Sequence, residues 1–420
     1  MFNYLSQPSA STHRISRFST LSSSPLSLSL IFMASPPIFF LLFSFFLSAA
    51  YGFLSRTSDL QNSIFLPVTK DSLTHQYVTK VHHGTRLVPT RLVVDLGGPF
   101  LWIDRSSPFI SKSSSIRLIP SCSTECFKAK AASSDLRTQS CFSGKDDTPC
   151  DLLPRNGVVG AETKGEMVED VIVFGSSDGS RVGQISTLEN FLFSSAPRFL
   201  LQGLASGASG MLGLGRTQIS LPAQMADVIG HSRRFTLCLS DSDGVVLFGD
   251  GSNESIFGSE ISRSLTYTPF VTNTMGASGS GTGQSPDYLI GVKSIKIDGK
   301  RLSLDKLTVD ERGAKLSTIV PYTTMESSIY ATFIKSYMEA AVSSNMRKVD
   351  SVAPFELCFS SEGVSRTELG PAVPSIDFVL QSEMVKWRVH GRNSMVQMGD
   401  ATFTSSMSYS SSQSHKESPS

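Results

Sequence analysis

Asp95 follows the apolar run Leu92-Val93-Val94 and precedes Leu96-Gly97-Gly98, so a carboxylate leaves a buried strand into a turn that glycine makes tight. A carboxylate placed in this way suits acid–base hydrolysis, in which two carboxyl groups share one proton and activate a water between them. That chemistry needs a second carboxylate. In a chain of two matched β lobes the counterpart falls about 220 residues downstream, where the sequence reads Lys315-Leu316-Ser317-Thr318-Ile319-Val320-Pro321-Tyr322. Ser317 takes that place. A serine hydroxyl titrates far above the carboxylate range and shares no acidic proton with Asp95. Asp95 is therefore read as vestigial, no catalytic residue is expected, and the chemistry calls for no cofactor.

The elements that must hold these residues read as short strands. Ile64, Leu66 and Val68, then Tyr77 and Val78, then Leu92 to Val94 are apolar runs broken by polar turns, which predicts a mostly β class. Val171-Ile172-Val173-Phe174 and Phe191-Leu192-Phe193 predict a hairpin. Its turn contains Gly175-Ser176-Ser177-Asp178-Gly179, a literal match to the nucleophile-elbow pattern GxSxG. A strand-like segment, Arg181 to Ile185, follows where an elbow requires a helix, so a plain turn is the reading. Gly203 to Gly215 is glycine-rich but lacks the lysine of a phosphate loop, and its glycines suit close backbone crossing beside the Asp95 turn. A short helix is predicted over Ile219 to Met225 with Ser220 as cap and Pro222 in its first turn, and a longer one over about Ser327 to Ala341. Strands at Leu289 to Val292 and Ser294 to Ile297 precede a turn at Asp298-Gly299, and Met275 to Ser285 reads as a surface loop. His82 and His83 are adjacent and face opposite sides of a strand, a poor pair for a metal, and no metal site is expected.

The 420 residues carry a net charge of +1, with Lys and Arg dispersed among the acids, so the basic footprint of a nucleic-acid binder is missing. Of six cysteines, Cys122, Cys126, Cys141 and Cys150 cluster, while Cys238 and Cys358 lie far away. The cluster has neither CxxC spacing nor a histidine, which favours disulfides over zinc; four cysteines pair in three ways, and spacing does not choose among them. Asn253-Glu254-Ser255 is an N-glycosylation acceptor in a turn-like stretch.

Ile38 to Ala50 has the length and small-residue end of a secretory signal, with cleavage near Gly52, and the reading adopted is translation from Met33 with residues 1–52 as upstream extension and signal peptide. Two alternatives stand beside it. Leu26 to Ala50 has the length of a membrane span, which Pro36 and Pro37 weaken, and the Ser-rich segment before Met33, with Arg14 and Arg17, has the composition of a transit peptide. The mature chain is then expected outside the cell or in the cell wall, with no stable membrane span. The remaining sequence divides into an N-terminal lobe over 60–262, a C-terminal lobe over 263–403 that is truncated at its end, and a Ser-rich tail over 404–420 expected to be disordered.

Several motifs carry a resemblance. They are Phe191-Leu192-Phe193-Ser194, Phe199 to Gly207, Gly213-Leu214-Gly215-Arg216-Thr217, Phe248-Gly249-Asp250-Gly251, Pro321 to Tyr330 and Asn393-Ser394-Met395-Val396. Together they resemble the pepsin-like aspartic proteases of plants, within the inactive branch of basic 7S globulins, extracellular dermal glycoproteins and xylanase inhibitors, over most of Asn62 to Gly399. The resemblance implies two β lobes around a cleft, with Asp95 as the retained first aspartate and Ser317 in place of the second. It also marks departures. Leu96 replaces the usual Thr or Ser, Ile319 replaces the closing glycine of the second motif, and Leu153 to Gly160 lacks the flap tyrosine of an active member. Arg105 and Ser195 stand where the inactive relatives carry cysteines, which implies fewer bridges. After Gly399-Asp400 the relatives continue through a cysteine and a final strand pair; here a serine tract from Thr404 to Ser412 follows, and Cys358 is expected to lack a partner.

The resemblance implies a secreted, non-catalytic protein that binds other proteins through surface loops, with cell-wall glycan hydrolases such as xylanases or xyloglucan endoglucanases as partners. Alternative readings are an aspartic endopeptidase and a truncated product without a role.

Overall fold

A computed structural model describes residues 64–106, 113–131, 148–174, 186–230, 233–249, 265–271, 285–304, 313–353, 355–399 and 402–409. The first lobe contains β1 (Ile64–Lys70), β2 (Tyr77–His83), β3 (Val88–Asp95), β4 (Trp102–Asp104), β5 (Arg117–Leu118), β6 (Asp151–Leu152), β7 (Arg155–Asn156), β8 (Ala161–Glu162), β9 (Gly165–Phe174), β10 (Ser186–Ala196), β11 (Gly210–Gly213), β12 (Phe235–Leu239) and β13 (Asp243–Phe248). Its helices are α1 (Thr124–Lys130) and α2 (Leu221–Ile229). In β1 the alternate residues Ile64, Leu66 and Val68 are buried while Pro67 and Thr69 are exposed, the period-two signature of a half-buried strand. β3 is different, because Leu92, Val93 and Val94 are all fully buried between β2 on one edge and β11 on the other. A large sheet runs β12-β13-β1-β2-β3-β11-β4-β10-β9-β5, and β7 and β8 form a separate hairpin.

The second lobe contains β14 (Leu289–Ile290), β15 (Ser294–Ile297), β16 (Lys300–Arg301), β17 (Ala314–Lys315), β18 (Thr323–Met325), helix α3 (Ser327–Ser343), β19 (Lys348–Val349), β20 (Cys358–Ser360), β21 (Arg366–Thr367), β22 (Gly370–Pro371), β23 (Ile376–Ser382), β24 (Val385–Val389), the short helix α4 (Gly391–Ser394), β25 (Met395–Met398), β26 (Thr402–Ser405) and β27 (Met407–Tyr409). Glu326 caps α3, its carboxylate accepting from the Ser328 and Ile329 N–H groups. Tyr330, Phe333, Tyr337 and Ala341 form the buried stripe of α3 against β15 and the strands of this lobe. The Asp298-Gly299 turn joins β15 to β16 with both residues at positive φ, 46° and 79°, the geometry of a two-residue hairpin.

Most expected elements are present, with shifted ends. α2 spans Leu221–Ile229; Ser220 precedes it, but its hydroxyl donates to the Thr217 carbonyl at 2.9 Å instead of capping the helix. β9 and β10 pair as the expected hairpin, whose turn, with the GxSxG match, lies outside the described residues, as do residues 272–284 of the expected surface loop.

One expectation is corrected. The tail assigned to 404–420 begins instead with ordered strands: β26 pairs with β20 and β25, and β27 runs parallel to β18. Phe403 and Met407 enter the second core, and Thr404 and Ser405 are buried. Hydroxyl side chains tolerate that burial because the backbone satisfies them; Thr404 Oγ1 donates to the Leu357 carbonyl at 3.3 Å, and Ser405 Oγ accepts from the Met407 N–H at 3.3 Å. Residues 410–420 lie outside the described residues.

The lobes meet along a seam beside the Asp95 turn. Leu316 packs against the core of each lobe, and Ile319 of the second lobe belongs to a first-lobe cluster with Val93, Phe100, Trp102 and Met211.

Candidate functional site

Asp95 sits at that seam, at the end of β3. Parallel pairing with β11 places Gly213 opposite Asp95, and the Asp95 carbonyl accepts from the Leu214 N–H at 2.9 Å and the Gly98 N–H at 3.2 Å. The carboxylate turns back on its own loop, Oδ1 accepting from the Gly97 N–H at 3.0 Å. Glycine is required at 98, since a Cβ there would lie 2.9 Å from Gly213 Cα and 3.0 Å from Asp95 Oδ2. The glycine-rich run serves the same crossing: a Cβ at Gly210 would overlap the Trp102 carbonyl oxygen, one at Gly213 the Phe100 carbonyl oxygen, and one at Gly215 would approach Gly98 O at 2.7 Å.

The second lobe reaches this loop through Thr318. Its buried hydroxyl donates to the Val94 carbonyl at 2.6 Å and accepts from the Leu96 N–H at 3.0 Å, so one side chain holds the residues on both sides of Asp95. Ser317, the neighbour of Thr318, is carried into the same seam half-buried, and its Oγ makes a long contact, 3.4 Å, with the Ile319 N–H.

The second lobe presents an ion pair to the Asp95 turn. Lys315 Nζ pairs with Asp287 Oδ1 at 2.7 Å, and both side chains lie over Gly97. Burial pushes the Asp95 carboxyl above its usual range; Lys315 and the Gly97 N–H pull against that, and Asp287 adds to it. The carboxylate that reaches this turn from the second lobe, Asp287, is held in an ion pair by Lys315, and position 317 offers a hydroxyl where a shared-proton pair needs a carboxyl group.

Above the seam the β7–β8 hairpin is fixed to the first lobe. Trp102 Nε1 donates to the Arg155 carbonyl at 3.1 Å, and the buried Asn156 Nδ2 donates to Leu200 O at 2.7 Å and Gln202 O at 2.8 Å. Its turn carries Val158 and Val159 and no phenol. Ile319 fills the space beneath it: the side chain is 8% exposed, and a Cβ at Gly157 would overlap its Cδ1. This role of Ile319 escapes a reading of the sequence, where it registers as a lost glycine and not as a plug.

His82 and His83 do point apart, and His83 has a partner that adjacency in sequence conceals. His83 Nε2 lies 3.0 Å from Asp170 Oδ2, with both side chains fully buried. Asp170 also accepts from Ser113 Oγ at 3.0 Å and from Ser115 Oγ. The serines meet the carboxylate and not the imidazole, so this is not a serine nucleophile with its base. Burial lowers the His83 pKa and Asp170 opposes that shift. Among the described residues no group of three or more His, Cys, Asp or Glu could hold a metal, and no helix is long and apolar enough to cross a membrane.

Cys126 and Cys150 form a disulfide with a Cα–Cα distance of 5.8 Å, tying α1 to the entrance of β6. Cys122 is also disulfide-bonded, while Cys141 and Asn253 lie outside the described residues. Cys358 is a buried free thiol whose Sγ accepts from the Val352 N–H at 3.4 Å.

Two β lobes meeting at an Asp95 turn, each strand-rich and joined by a threonine bridge, define a pepsin-like protein of the inactive plant branch. The chain belongs to the xylanase inhibitor family: residues 77–250 match its N-terminal domain and residues 287–414 its C-terminal domain. A Nicotiana benthamiana protein named "Probable aspartic proteinase GIP2" is 42% identical over 361 residues, covering 82% of this chain and 81% of its own length. The crystal structure of edgp is 38% identical with a TM-score of 0.74, covering 83% of this chain and 87% of its own. That of basic 7S globulin from soybean is 28% identical with a TM-score of 0.66, covering 83% and 86%.

Proposed function

We propose that this chain is a secreted, non-catalytic member of its family that binds other proteins, as an inhibitor of cell-wall glycan hydrolases. The observation that supports this reading is the Asp95 seam: one buried carboxylate, a serine at 317, a lysine nearby and Ile319 in the space under the β7–β8 hairpin. A cleft without its second carboxylate leaves the outer loops to carry function. Secretion draws support from the Ile38 to Ala50 segment and from the Cys126–Cys150 bridge, which persists in oxidising compartments. The partner classes come from the family name and from the resemblance in sequence, with xylanases and xyloglucan-degrading endoglucanases as the two candidates. Folded protein titrated against each class by calorimetry and by inhibition of glycan release tests this; absence of binding to both would overturn the inhibitor reading.

A second reading, an aspartic endopeptidase, is favoured by the retained Asp95 and by the name of the Nicotiana relative. Acid-pH cleavage of a denatured protein that disappears in Asp95→Asn would establish it, and equal cleavage by both proteins would remove it.

A further inference from the structure

In the second lobe the sheet β16-β15-β23-β24 sends Ile295, Ile297, Phe378, Leu380 and Val389 into the core. Alternation along the strands then sets Lys296, Asp377, Lys386 and Arg388 on the outer face. Register lines them up. Arg301 lies opposite Lys296, Lys296 opposite Asp377, and Asp377 opposite Arg388, a row across four strands. At about 4.8 Å between strands the row is roughly 14 Å long.

The row is a cationic surface laid over a buried carboxylate. Asp377 is 1% exposed; Lys386 Nζ lies 3.1 Å from its Oδ2, and Arg388 Nε and Nη2 donate to Oδ1 and Oδ2 at 2.6 and 2.8 Å. The Arg388 hydrogen bond holds the Asp377 carboxyl below the usual carboxylate range, so its charge keeps both cations in place. Lys386 and Arg388 themselves remain exposed, with only part of their donor sets used. Beside them Glu383 bridges Lys296, at 2.7 Å, and Arg301. Lys296 and Arg301 are like charges directly opposite each other, an arrangement that costs stability in a sheet. Asp298, at the β15–β16 turn, is taken up by Ser375, whose N–H it accepts at 2.7 Å.

An aromatic ring stands next to these cations. Gln381, exposed two residues ahead of Glu383, donates from Nε2 to the Tyr267 carbonyl at 2.7 Å, and this bond anchors a tyrosine that is 75% exposed. An open ring offers its electron-rich face to the C–H groups of a sugar.

We propose that this face binds a linear acidic polysaccharide of the polyuronate class, with Lys296, Arg301, Lys386 and Arg388 pairing its carboxylates and Tyr267 stacking on a sugar ring. The fold holds the cations before binding, so less side-chain freedom is lost on association. A polyuronate carries a carboxylate on every ring, closer together than the about 6.6 Å between same-face side chains of an extended peptide, and this suits the strand spacing better. The occupant is therefore a saccharide and not an acidic peptide. The inference concerns the outer sheet of the second lobe, and its failure would leave the inhibitor reading standing.

The test is calorimetric titration of the full chain with polygalacturonate, beside its methyl ester, which keeps the sugar and removes the charge, and polyglutamate, which keeps the charge and removes the sugar. Polygalacturonate binds at about 0.01 M salt and weakens at about 0.15 M, as the screening length falls from about 30 to about 8 Å; the ester does not bind. The Arg301→Gln, Lys386→Gln double variant, which leaves Arg388 on Asp377, loses about tenfold or more in affinity. Tyr267→Ala weakens polygalacturonate and leaves polyglutamate unchanged. Urea midpoints near that of the parent establish that the variants are folded. The proposal is overturned by no binding to polygalacturonate at low salt, by unchanged affinity in either folded variant, or by the ester or polyglutamate binding as tightly as polygalacturonate.

Discussion

Ile319 of the second lobe lies against Gly157 at the tip of the β7–β8 hairpin, so close that a Cβ at 157 would force the Ile319 Cδ1 methyl to move. A residue that closes a turn in one lobe thus supports a hairpin of the other. Gly157→Ala is expected to destabilise the protein by about 1–3 kcal/mol through overpacking. Ile319→Ala costs about 2–4 kcal/mol through the cavity it leaves. Made together, the two changes cost less than their sum, because the added methyl enters the vacated space. Urea unfolding of the four proteins measures this coupling; strict additivity would mean the contact carries no energy.

Thr318 offers a second test. Thr318→Val keeps the shape and removes both hydrogen bonds across the seam, leaving the Leu96 N–H and Val94 carbonyl unpaired. A loss of about 1–3 kcal/mol is expected, and Thr318→Ser recovers most of it. Equal losses in both variants would assign the residue to packing instead.

Asp95 has a defined pH signature. Its folded-state pKa is raised above the ordinary 3.8, chiefly by burial, so the folded state binds this proton more tightly than the unfolded chain does. The stabilisation is full below 3.8 and is lost as pH rises through the folded value. Asp95→Asn, which mimics the protonated form, is therefore expected to be more stable than the parent at pH 7, with the advantage vanishing towards pH 3.8. Denaturant midpoints across that range read the difference directly.

His83 works in the opposite direction. Burial lowers its pKa below the ordinary 6.5, so the unfolded chain takes up this proton first. Its contribution is present above 6.5 and declines as pH falls through the folded value. His83→Gln is expected to flatten the stability profile below 6.5. An unchanged slope would place the acid sensitivity elsewhere.

The sequence shows the elements whose signals are local. The apolar run into Asp95, the glycine pair, the alternation of β1 and the stripe of α3 each state their structure within a few residues. Ser317 is legible for the same reason. Ile319 is not, because its role depends on a hairpin distant in sequence, and the His83–Asp170 pair forms only when β2 and β9 are brought side by side. β26 and β27 were masked by serine content, which argues for disorder; Phe403 and Met407 at the alternating positions carried the contrary signal. The Cys126–Cys150 pairing likewise required the fold, since four clustered cysteines leave three arrangements open.

Leu316 has cores on both sides of it. A side chain shared in this way ties the margins of the two cores together, and Thr318 adds a hydrogen-bonded bridge beside it. The halves are therefore coupled at this contact, and loosening one disturbs the packing of the other. Force or heat that frees one lobe uncovers apolar surface on its neighbour in the same event.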